Sequence, residues 1–296
     1  MFGKILDQFD AHLGGLSRAP NTRAAYKRDL IQFLAFAEAQ GVTALSDLTA
    51  AHVSAWLAEL AEAEQSASSR ARKFNTLRSF TKYLLLVGQI IPDRVGCDFT
   101  LGIDPPKPKS KEPRVLTQTQ IKALQGVAHN DPRNAAIVEV LLQTGLRVGE
   151  LTSLTLDDLV WGDEYTQSYL LIRKAKGGKE RCVSVNSVAE EALRRWLKVR
   201  PKNKGRHLFL SKRGAMPLFS ADVRAMLKRY YKAAGISTDG ISAHTLRHTF
   251  CTQHAAKGTN LIVIQRAAGH ASLTTTQHYL HLVDKMMEEE LERNAL

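Results

Sequence analysis

The sequence predicts a mainly α-helical protein with a small β-sheet, divided between two domains. Apolar residues recur every three to four positions through most of the chain, which is the spacing of an amphipathic helix. Two short segments that read as strands flank a Gly-Gly pair, the signal of a β-hairpin. With 296 residues, the chain is also longer than a single hydrophobic core usually requires.

The composition indicates a polyanionic partner. The formal net charge is +12 and the isoelectric point is near 9.7, so the simplest partners are a nucleic acid and an anionic membrane. The sequence shows no apolar run long enough to span a bilayer and no signal peptide. Its cysteines, Cys97, Cys182 and Cys251, are scattered as in proteins of a reducing cytosol. We therefore expect a cytoplasmic protein that binds DNA or RNA.

Residues 1–102 are predicted to be helical throughout. One helix starts at Asn21-Thr22 and ends at Gly41, because the apolar residues between them keep a helical spacing. A second helix follows Thr49, and a third begins in the serine cluster at 66–69. These helices would form one small domain.

The third helix carries basic residues opposite an apolar stripe. An ordinary solvated face would interleave acidic residues at a spacing of four, and this face has one sign, which favours DNA binding. A plain wet face of a core helix stays open as the alternative. The basic residues are Arg70, Arg72, Lys73, Arg78 and Lys82.

Residues 103–114 read as a linker. Four prolines and four Lys or Arg residues in so short a run cannot form a packed element, so the segment is expected to be extended and basic. Such a linker could let two domains close around a ligand, and it could equally be a simple spacer.

The second domain is predicted to begin with two helices. A capping box at Thr117–Gln120 opens the first. Asp131-Pro132 opens the second, whose apolar residues are typical of a fully buried helix and which ends at Gly145. Arg147 follows at once, with Glu150 three residues later.

Arg147 has two interpretations. Glu150 could be its partner in a purely structural ion pair, because an arginine is costly to bury alone. Glu150 could instead orient the guanidinium so that it binds a phosphate with two hydrogen bonds. We favour the second interpretation, because Arg147 and Arg247 together would bind both non-bridging oxygens.

A hairpin is expected next. Residues 169–173 and 181–185 read as strands, joined by the lysine-rich turn 174–179. Lysines on a hairpin turn are usually solvated, although one presented over a cleft could act as a general acid toward a leaving oxygen. Helices are predicted at 187–199 and 219–234.

The segment from Ser242 to Tyr279 holds most of the candidate chemistry. His244 and Arg247 share a face of the helix expected over 243–257, while His270 and Tyr279 follow Gly269. Such a group suits attack of a tyrosine oxygen on a phosphodiester, with arginine and histidine stabilising the charge that develops.

Ordinary roles remain open for these residues. A lone histidine is more often structural than catalytic, and the same holds for a tyrosine near a C-terminus. The pair His244 and His248 could be half of a zinc site. Zinc is disfavoured, because no glutamate follows His244 and the cysteines show no C-x2-C pair.

With these segments in place, the chain resembles the tyrosine site-specific recombinases of the phage integrase family, with the size and layout of the bacterial Xer recombinases. The resemblance runs nearly end to end and is carried by T-G-L-R-V-G-E-L, K-A-K-G-G-K-E-R, H-T-L-R-H, G-H-A-S-L-T-T-T and Q-H-Y. It implies a catalytic set of Arg147, Lys176, His244, Arg247, His270 and the nucleophile Tyr279, with Lys174 and Lys179 flanking the lysine as DNA-binding residues. One departure is Ala267-Ala268, where bulkier aliphatic residues are expected.

The resemblance also implies a fold and a reaction. The fold would be a helical, SAM-like core-binding domain (1–102), a linker (103–114) and an α+β catalytic domain (115–296), forming a C-shaped clamp on DNA. The reaction would proceed through a 3′-phosphotyrosine intermediate and a Holliday junction, without a metal or nucleotide cofactor. The protein would act as a homotetramer on two DNA sites, alone or with a second recombinase, in the nucleoid. Residues 283–296 would pass to a neighbouring subunit or pack on their own domain.

Two other functions compete with this one. A type IB topoisomerase-like enzyme would use similar tyrosine chemistry to relax supercoils, but the helical core-binding domain argues against it. A non-catalytic DNA-binding protein would need the basic helix and not the full catalytic set. Whether a recombinase of this kind resolves chromosome or plasmid dimers, or integrates and excises a mobile element, stays open.

Overall fold

The computed structural model divides the chain into two compact units, Met1–Lys111 and Glu112–Leu296. Each unit has a hydrophobic core of its own. In the part of the chain that the structure describes, no helix is both long and apolar enough to cross a membrane. The described residues are 2–90, 98–108, 112–173, 180–202, 205–212, 216–270, 272, 276–277, 279–280, 282–284 and 292.

The first unit is helical in its described residues. Its core is rich in aromatic side chains, including Phe33 and Trp56, whose rings lie 5.2 Å apart. The three helices predicted here are confirmed, and an additional helix precedes them. The helices are α1 (Gly3–Gly15), α2 (Pro20–Ala39), α3 (Ala50–Glu62) and α4 (Ala67–Leu86).

Local sequence signals explain these helix boundaries. The Ser66 hydroxyl accepts a hydrogen bond from the backbone N–H of Ser69 and so caps α4. Gly41 has a φ of +90° directly after α2, a conformation that costs glycine little. At the start of α3, the Thr49 N–H donates to His52 Nδ1 at 3.1 Å. The side chain of His52 thus takes the place that glutamate has in a usual capping box.

The prediction of a uniformly basic face on α4 is wrong for Lys73, which is only 5% exposed. Its ammonium group donates to Gln32 Oε1 at 2.7 Å and lies 5.2 Å from the centre of the Trp56 ring. The reason is helical phase, because Lys73 is four residues before the buried Leu77 and lies on the apolar stripe. Arg72 pairs with the buried Asp29. Arg78 and Lys82 are exposed.

The second unit combines helices with one small antiparallel sheet. Strand order is β1-β2-β3, and Leu170 of β2 faces both Leu159 of β1 and Val183 of β3. The elements are α5 (Gln118–Ala128), α6 (Pro132–Thr144), α7 (Val148–Ser153), β1 (Leu159–Val160), β2 (Tyr169–Ile172), β3 (Arg181–Ser184), α8 (Ser187–Val199), α9 (Ser220–Ala233), α10 (Ala243–Ala256) and α11 (Leu261–Ala268).

The mainly helical fold with a small sheet is therefore confirmed. The predicted pair of strands forms β2 and β3, while β1 and α11 were not predicted. β1 has only two residues, which is too short for a periodic pattern.

Helix α6 is the centre of the second unit, packed against α5, α7, α8 and α10. Its apolar residues are buried on nearly all sides, as the sequence predicted. The helix ends at Gly145, which has a φ of +63°. A Cβ atom at this position would overlap Phe250 Cδ1 of α10. Gly145 is therefore required both for its conformation and for the close approach of α10.

Replacing Gly145 should separate these two contributions. We expect Gly145→Ala to destabilise the second unit by about 3 kcal/mol, the sum of left-handed strain and overpacking against Phe250. Gly235→Ala is the control, because Gly235 has a similar φ of +69° with open space around it, and should cost about 1 kcal/mol. Denaturant unfolding would measure both values. Equal losses would mean that the Phe250 contact has no energetic effect.

Candidate active site

Arg147 lies at the start of α7, directly after the turn that ends α6. Its Nη1 atom donates to Glu150 Oε1 at 3.0 Å, and its Nη2 atom donates to the Gly269 carbonyl at 2.8 Å. Glu150 also accepts from the backbone N–H of Arg147 at 2.9 Å, which closes the first turn of α7. The carboxylate therefore fixes both the backbone and the guanidinium of Arg147.

Glu150 has a second cationic partner that sequence reasoning missed. Arg181 of β3 donates to both carboxylate oxygens of Glu150, at 3.0 and 2.9 Å. Glu150 is 5% exposed. Burial alone would raise the pKa of Glu150, but the hydrogen bonds from Arg181 and from the Arg147 backbone lower it overall. The signal was the arginine that ends K-A-K-G-G-K-E-R, which the sequence analysis assigned to a strand without a role.

Arg247 projects from α10 and is 4% exposed. Its Nη1 atom donates to the carbonyls of Gly145, at 2.8 Å, and Ala268. Burial and the nearby charge of Arg147 lower its pKa to about 10, so the group stays protonated at neutral pH. Among the described residues, its Nη2 atom has no hydrogen-bond partner. A buried N–H donor of this kind is what an incoming oxyanion requires.

His270 follows the left-handed Gly269 that ends α11. Its Nδ1 atom lies 2.9 Å from the Thr276 hydroxyl. Burial, followed by the charges of Arg247 and Arg147, lowers the pKa of His270 to about 4, so the ring is neutral at pH 7. With Thr276 as donor, Nε2 carries the ring proton and is the atom that can donate to an oxyanion.

Ala267 and Ala268, which stand where the family resemblance leads us to expect bulkier aliphatic residues, lie beside two arginines in the structure. The Ala268 side chain is fully buried, and its carbonyl accepts from Arg247. The Arg181 guanidinium lies against the next residue, because a Cβ on Gly269 would be 2.7 Å from Arg181 Cζ. The small residues at 267–269 thus allow their backbone to approach Arg181 and Arg247 closely.

Tyr279 is buried, with 2% of its surface exposed. Its hydroxyl lies 2.8 Å from His248 Nδ1, and its ring stacks on His270 with centroids 5.9 Å apart. Burial is the main reason that its pKa is raised above the ordinary value of 10, and the cations Arg247 and Arg147 oppose the shift only in part. Tyr279 is therefore a neutral phenol at rest.

His244 is exposed at the first turn of α10. Partial desolvation lowers its pKa, and the charges of Arg247, Arg147 and Arg224 lower it further. Its ring centre is 6.5 Å from that of His248. The charge of Arg247 acts on His244, so the two side chains lie near each other on α10, as their spacing predicted.

The structure brings together five of the predicted catalytic residues: Arg147, His244, Arg247, His270 and Tyr279. Lys174, Lys176 and Lys179 lie outside the described residues. The guanidinium groups of Arg147 and Arg181 bind the one carboxylate, Glu150, and Arg247 adds a third positive charge nearby. The site therefore has a net positive charge beside the Tyr279 phenol and two imidazoles whose pKa values are lowered, those of His244 and His270. This arrangement suits an anionic phosphodiester whose charge grows during nucleophilic attack.

Comparison with known families finds two matches that cover most of the chain. Residues 114–286 match the Phage integrase family, and residues 6–88 match the family described as Phage integrase, N-terminal SAM-like domain.

Two relatives illustrate the similarity. Tyrosine recombinase XerD of Corynebacterium glutamicum is 33% identical over 285 residues, covering 91% of this chain and 90% of the relative. Tyrosine recombinase XerC of Pseudomonas syringae pathovar syringae is 34% identical over 286 residues, covering 94% and 91%.

Solved structures share the fold. A lambda integrase tetramer bound to a Holliday junction superimposes with a TM-score of 0.71 at 22% identity, covering 92% of this chain and 77% of that chain. At this level of identity the likeness concerns the fold.

Removing Arg181 should expose the cost of a buried carboxylate. We expect Arg181→Ala to lower the free energy of unfolding by about 3 kcal/mol, because Glu150 keeps its charge and loses two hydrogen bonds. Arg206→Ala breaks an exposed ion pair with Asp157 and should cost less than about 1 kcal/mol. Denaturant unfolding would compare them, and similar losses would show that the Glu150 network is energetically ordinary.

The lowered pKa of His270 should make the free energy of unfolding depend on pH in the acid range. Between its ordinary pKa of 6.5 and about 4, the unfolded chain binds a proton at this position and the folded chain does not. The contribution to stability is therefore complete above pH 6.5 and falls as the pH approaches 4. His270→Gln should flatten the curve of unfolding free energy against pH over this window. Parallel curves for the two proteins would contradict the depressed pKa.

Proposed function

Since the chain belongs to the phage integrase family of tyrosine recombinases, we propose that Tyr279 is the nucleophile with which it acts. The enzyme cuts and rejoins DNA as a site-specific recombinase. One observation carries the assignment: the Tyr279 phenol lies in the same cluster as Arg147, Arg247 and His270, with its ring stacked on His270.

In the proposed reaction, the Tyr279 oxygen attacks a DNA phosphodiester. A bond forms between this oxygen and phosphorus, and the bond from phosphorus to the 5′ oxygen breaks. The 3′-phosphotyrosine link conserves the bond energy, so a 5′ hydroxyl of the partner duplex can attack it and restore a continuous strand. Two such exchanges pass through a Holliday junction.

Charge stabilisation falls to three residues in this proposal. Arg147 is held by Glu150 with part of its side chain exposed. Arg247 offers its Nη2 atom, and neutral His270 offers its Nε2–H. Together they bind the non-bridging oxygens where negative charge develops. His244 assists proton movement from its exposed position beside them.

The leaving 5′ oxygen needs a proton, and we assign that role to Lys176, whose segment of the sequence connects β2 to β3. The assignment is supported by the sequence motif K-A-K-G-G-K-E-R, whose final residue, Arg181 of β3, lies in the Glu150 network. Lys174 and Lys179 of the same motif are the alternatives, and both would otherwise contact DNA.

We propose that residues 1–102 form the core-binding domain, joined by 103–114 to the catalytic domain at 115–296. Arg70, Arg72, Arg78 and Lys82 of α4 would contact the phosphate backbone. Lys73 is withdrawn from this set, because its ammonium group is buried against Trp56.

The assembly on DNA is proposed to be a tetramer on two sites, formed by this chain alone or with a second recombinase in alternate positions. The lambda integrase that shares this fold was solved as a tetramer bound to a Holliday junction, and residues 283–296 of this chain would link neighbouring subunits. Resolution of chromosome or plasmid dimers in the nucleoid and movement of a mobile element are both compatible with this chemistry. Topoisomerase-like relaxation and non-catalytic binding are less favoured, because the relatives that match this chain over nearly their whole length are named recombinases.

Covalent trapping tests the nucleophile. Nicked suicide duplexes carrying candidate recombination sites should give an SDS-resistant protein–DNA complex with the wild type and none with Tyr279→Phe. Gel electrophoresis after denaturation measures the complex. A complex in both proteins would move the nucleophile to another tyrosine, and tight binding without any complex would favour a non-catalytic function or a missing partner. Tyr231→Phe is a matched control, because Tyr231 is a buried tyrosine of the same unit.

A further inference from the structure

One residue of the cluster has no role in the reaction proposed above. His248 lies on α10, one turn after His244 and next to Arg247. Its Nδ1 atom is 2.8 Å from the Tyr279 hydroxyl, and the two rings have centroids 5.9 Å apart. His248 therefore contacts the atom that is proposed to attack phosphorus.

The Tyr279 phenol requires a partner that takes its proton. A buried phenol holds its proton more tightly than one in water, because ionisation in that environment is unfavourable. The neutral O–H group is also a weak nucleophile. The attack must therefore transfer the proton to a neighbouring base as the bond to phosphorus forms.

The geometry disfavours the other neighbours as that base, and His244, which assists proton movement in the proposed reaction, makes no hydrogen bond to the Tyr279 oxygen among the described residues. The Cys251 thiol also contacts the Tyr279 oxygen, but burial raises its pKa to about 11, so it is protonated and cannot accept. His270 stacks face to face on the Tyr279 ring, and its Nδ1 atom is engaged by Thr276. His248 instead directs a ring nitrogen at the phenol oxygen within hydrogen-bond distance.

We propose that His248 is a catalytic base that accepts the Tyr279 proton during cleavage and returns it during rejoining. The inference rests on the proposed function of Tyr279. In cleavage, the Tyr279 oxygen bonds to phosphorus, its proton moves to His248 Nδ1, and the released 5′ oxygen takes a proton from Lys176. His248 becomes an imidazolium, and the attraction between its positive charge and the anionic phosphodiester stabilises it.

Rejoining reverses each transfer. The incoming 5′ hydroxyl gives its proton to Lys176 as it attacks phosphorus. The bond from phosphorus to the Tyr279 oxygen breaks, and His248 returns the proton to that oxygen. The same histidine thus serves as base in one direction and as acid in the other, with no proton exchanged with solvent.

His248→Asn is the central test, because an amide can keep a hydrogen bond to Tyr279 and cannot accept its proton. On suicide duplexes, we expect DNA binding close to wild type and single-turnover formation of the covalent complex slowed by about 100-fold to 10,000-fold. His254→Asn is the matched control, because His254 lies on the same helix, packs on Phe250 and hydrogen-bonds to Thr259. It should cleave at the wild-type rate.

A change of leaving group distinguishes the role of His248 as base from the role of Lys176 as acid. A 5′-bridging phosphorothiolate releases a thiolate, which needs no proton, so it should restore cleavage to Lys176→Ala and leave His248→Asn slow. A fluorinated tyrosine at position 279, whose phenol is more acidic, should restore part of the rate to His248→Asn.

Two results would overturn the proposal while leaving Tyr279 as nucleophile: wild-type cleavage by His248→Asn, or equal rescue of both variants by the sulfur leaving group. Failure of wild type and His254→Asn to form any covalent complex would instead count against the proposed function itself. If His248→Asn lowers the melting temperature, His248→Gln gives the same comparison, and recovery by the fluorinated tyrosine in either variant supports proton transfer over a structural role.

Discussion

Glu150 is an anion held inside the second unit by two arginines, Arg147 three residues before it and Arg181 31 residues after it. A buried carboxylate is costly unless its oxygens are fully hydrogen-bonded, and here Arg147 and Arg181 supply those bonds. The arginines stabilise the carboxylate, and the carboxylate in turn positions the arginines. The carboxylate orients Arg147 toward the site, and it also ties strand β3 to α7 and, through Arg181, to the carbonyls that precede His270. One negative charge therefore sets the positions of residues on three elements.

Much of the fold could be predicted because its signals are local. The capping residues Thr117 and Asp131, the Gly-Gly pair in the sequence and the period of apolar residues each act over a few neighbouring residues, and the corresponding helices and strands were found. The failures were positions where the local signal was short or ambiguous. Lys73 was assigned by its chemistry to the basic face, although its helical phase places it on the apolar stripe beside Trp56.

The site was predictable as a set of residues and not as a set of contacts. Motifs identified the arginines, histidines and tyrosine, because each motif is contiguous in sequence. The pairing of Arg181 with Glu150 spans 31 residues, as does the pairing of His248 with Tyr279. Such pairs depend on how β3 meets α7 and on how the segment that carries Tyr279 meets α10, and no spacing rule within a single element specifies those meetings.

The contact between Arg181 and Gly269 also restricts how this protein can change over generations. Any side chain at position 269 would collide with the guanidinium of Arg181, and the left-handed backbone there already disfavours replacement. A lineage that lost the glycine would first need a shorter side chain at position 181. That change would remove two hydrogen bonds from the buried Glu150 carboxylate. Positions 150, 181 and 269 are thus expected to vary together or not at all, so that they form one inherited unit spread across three separate stretches of the gene.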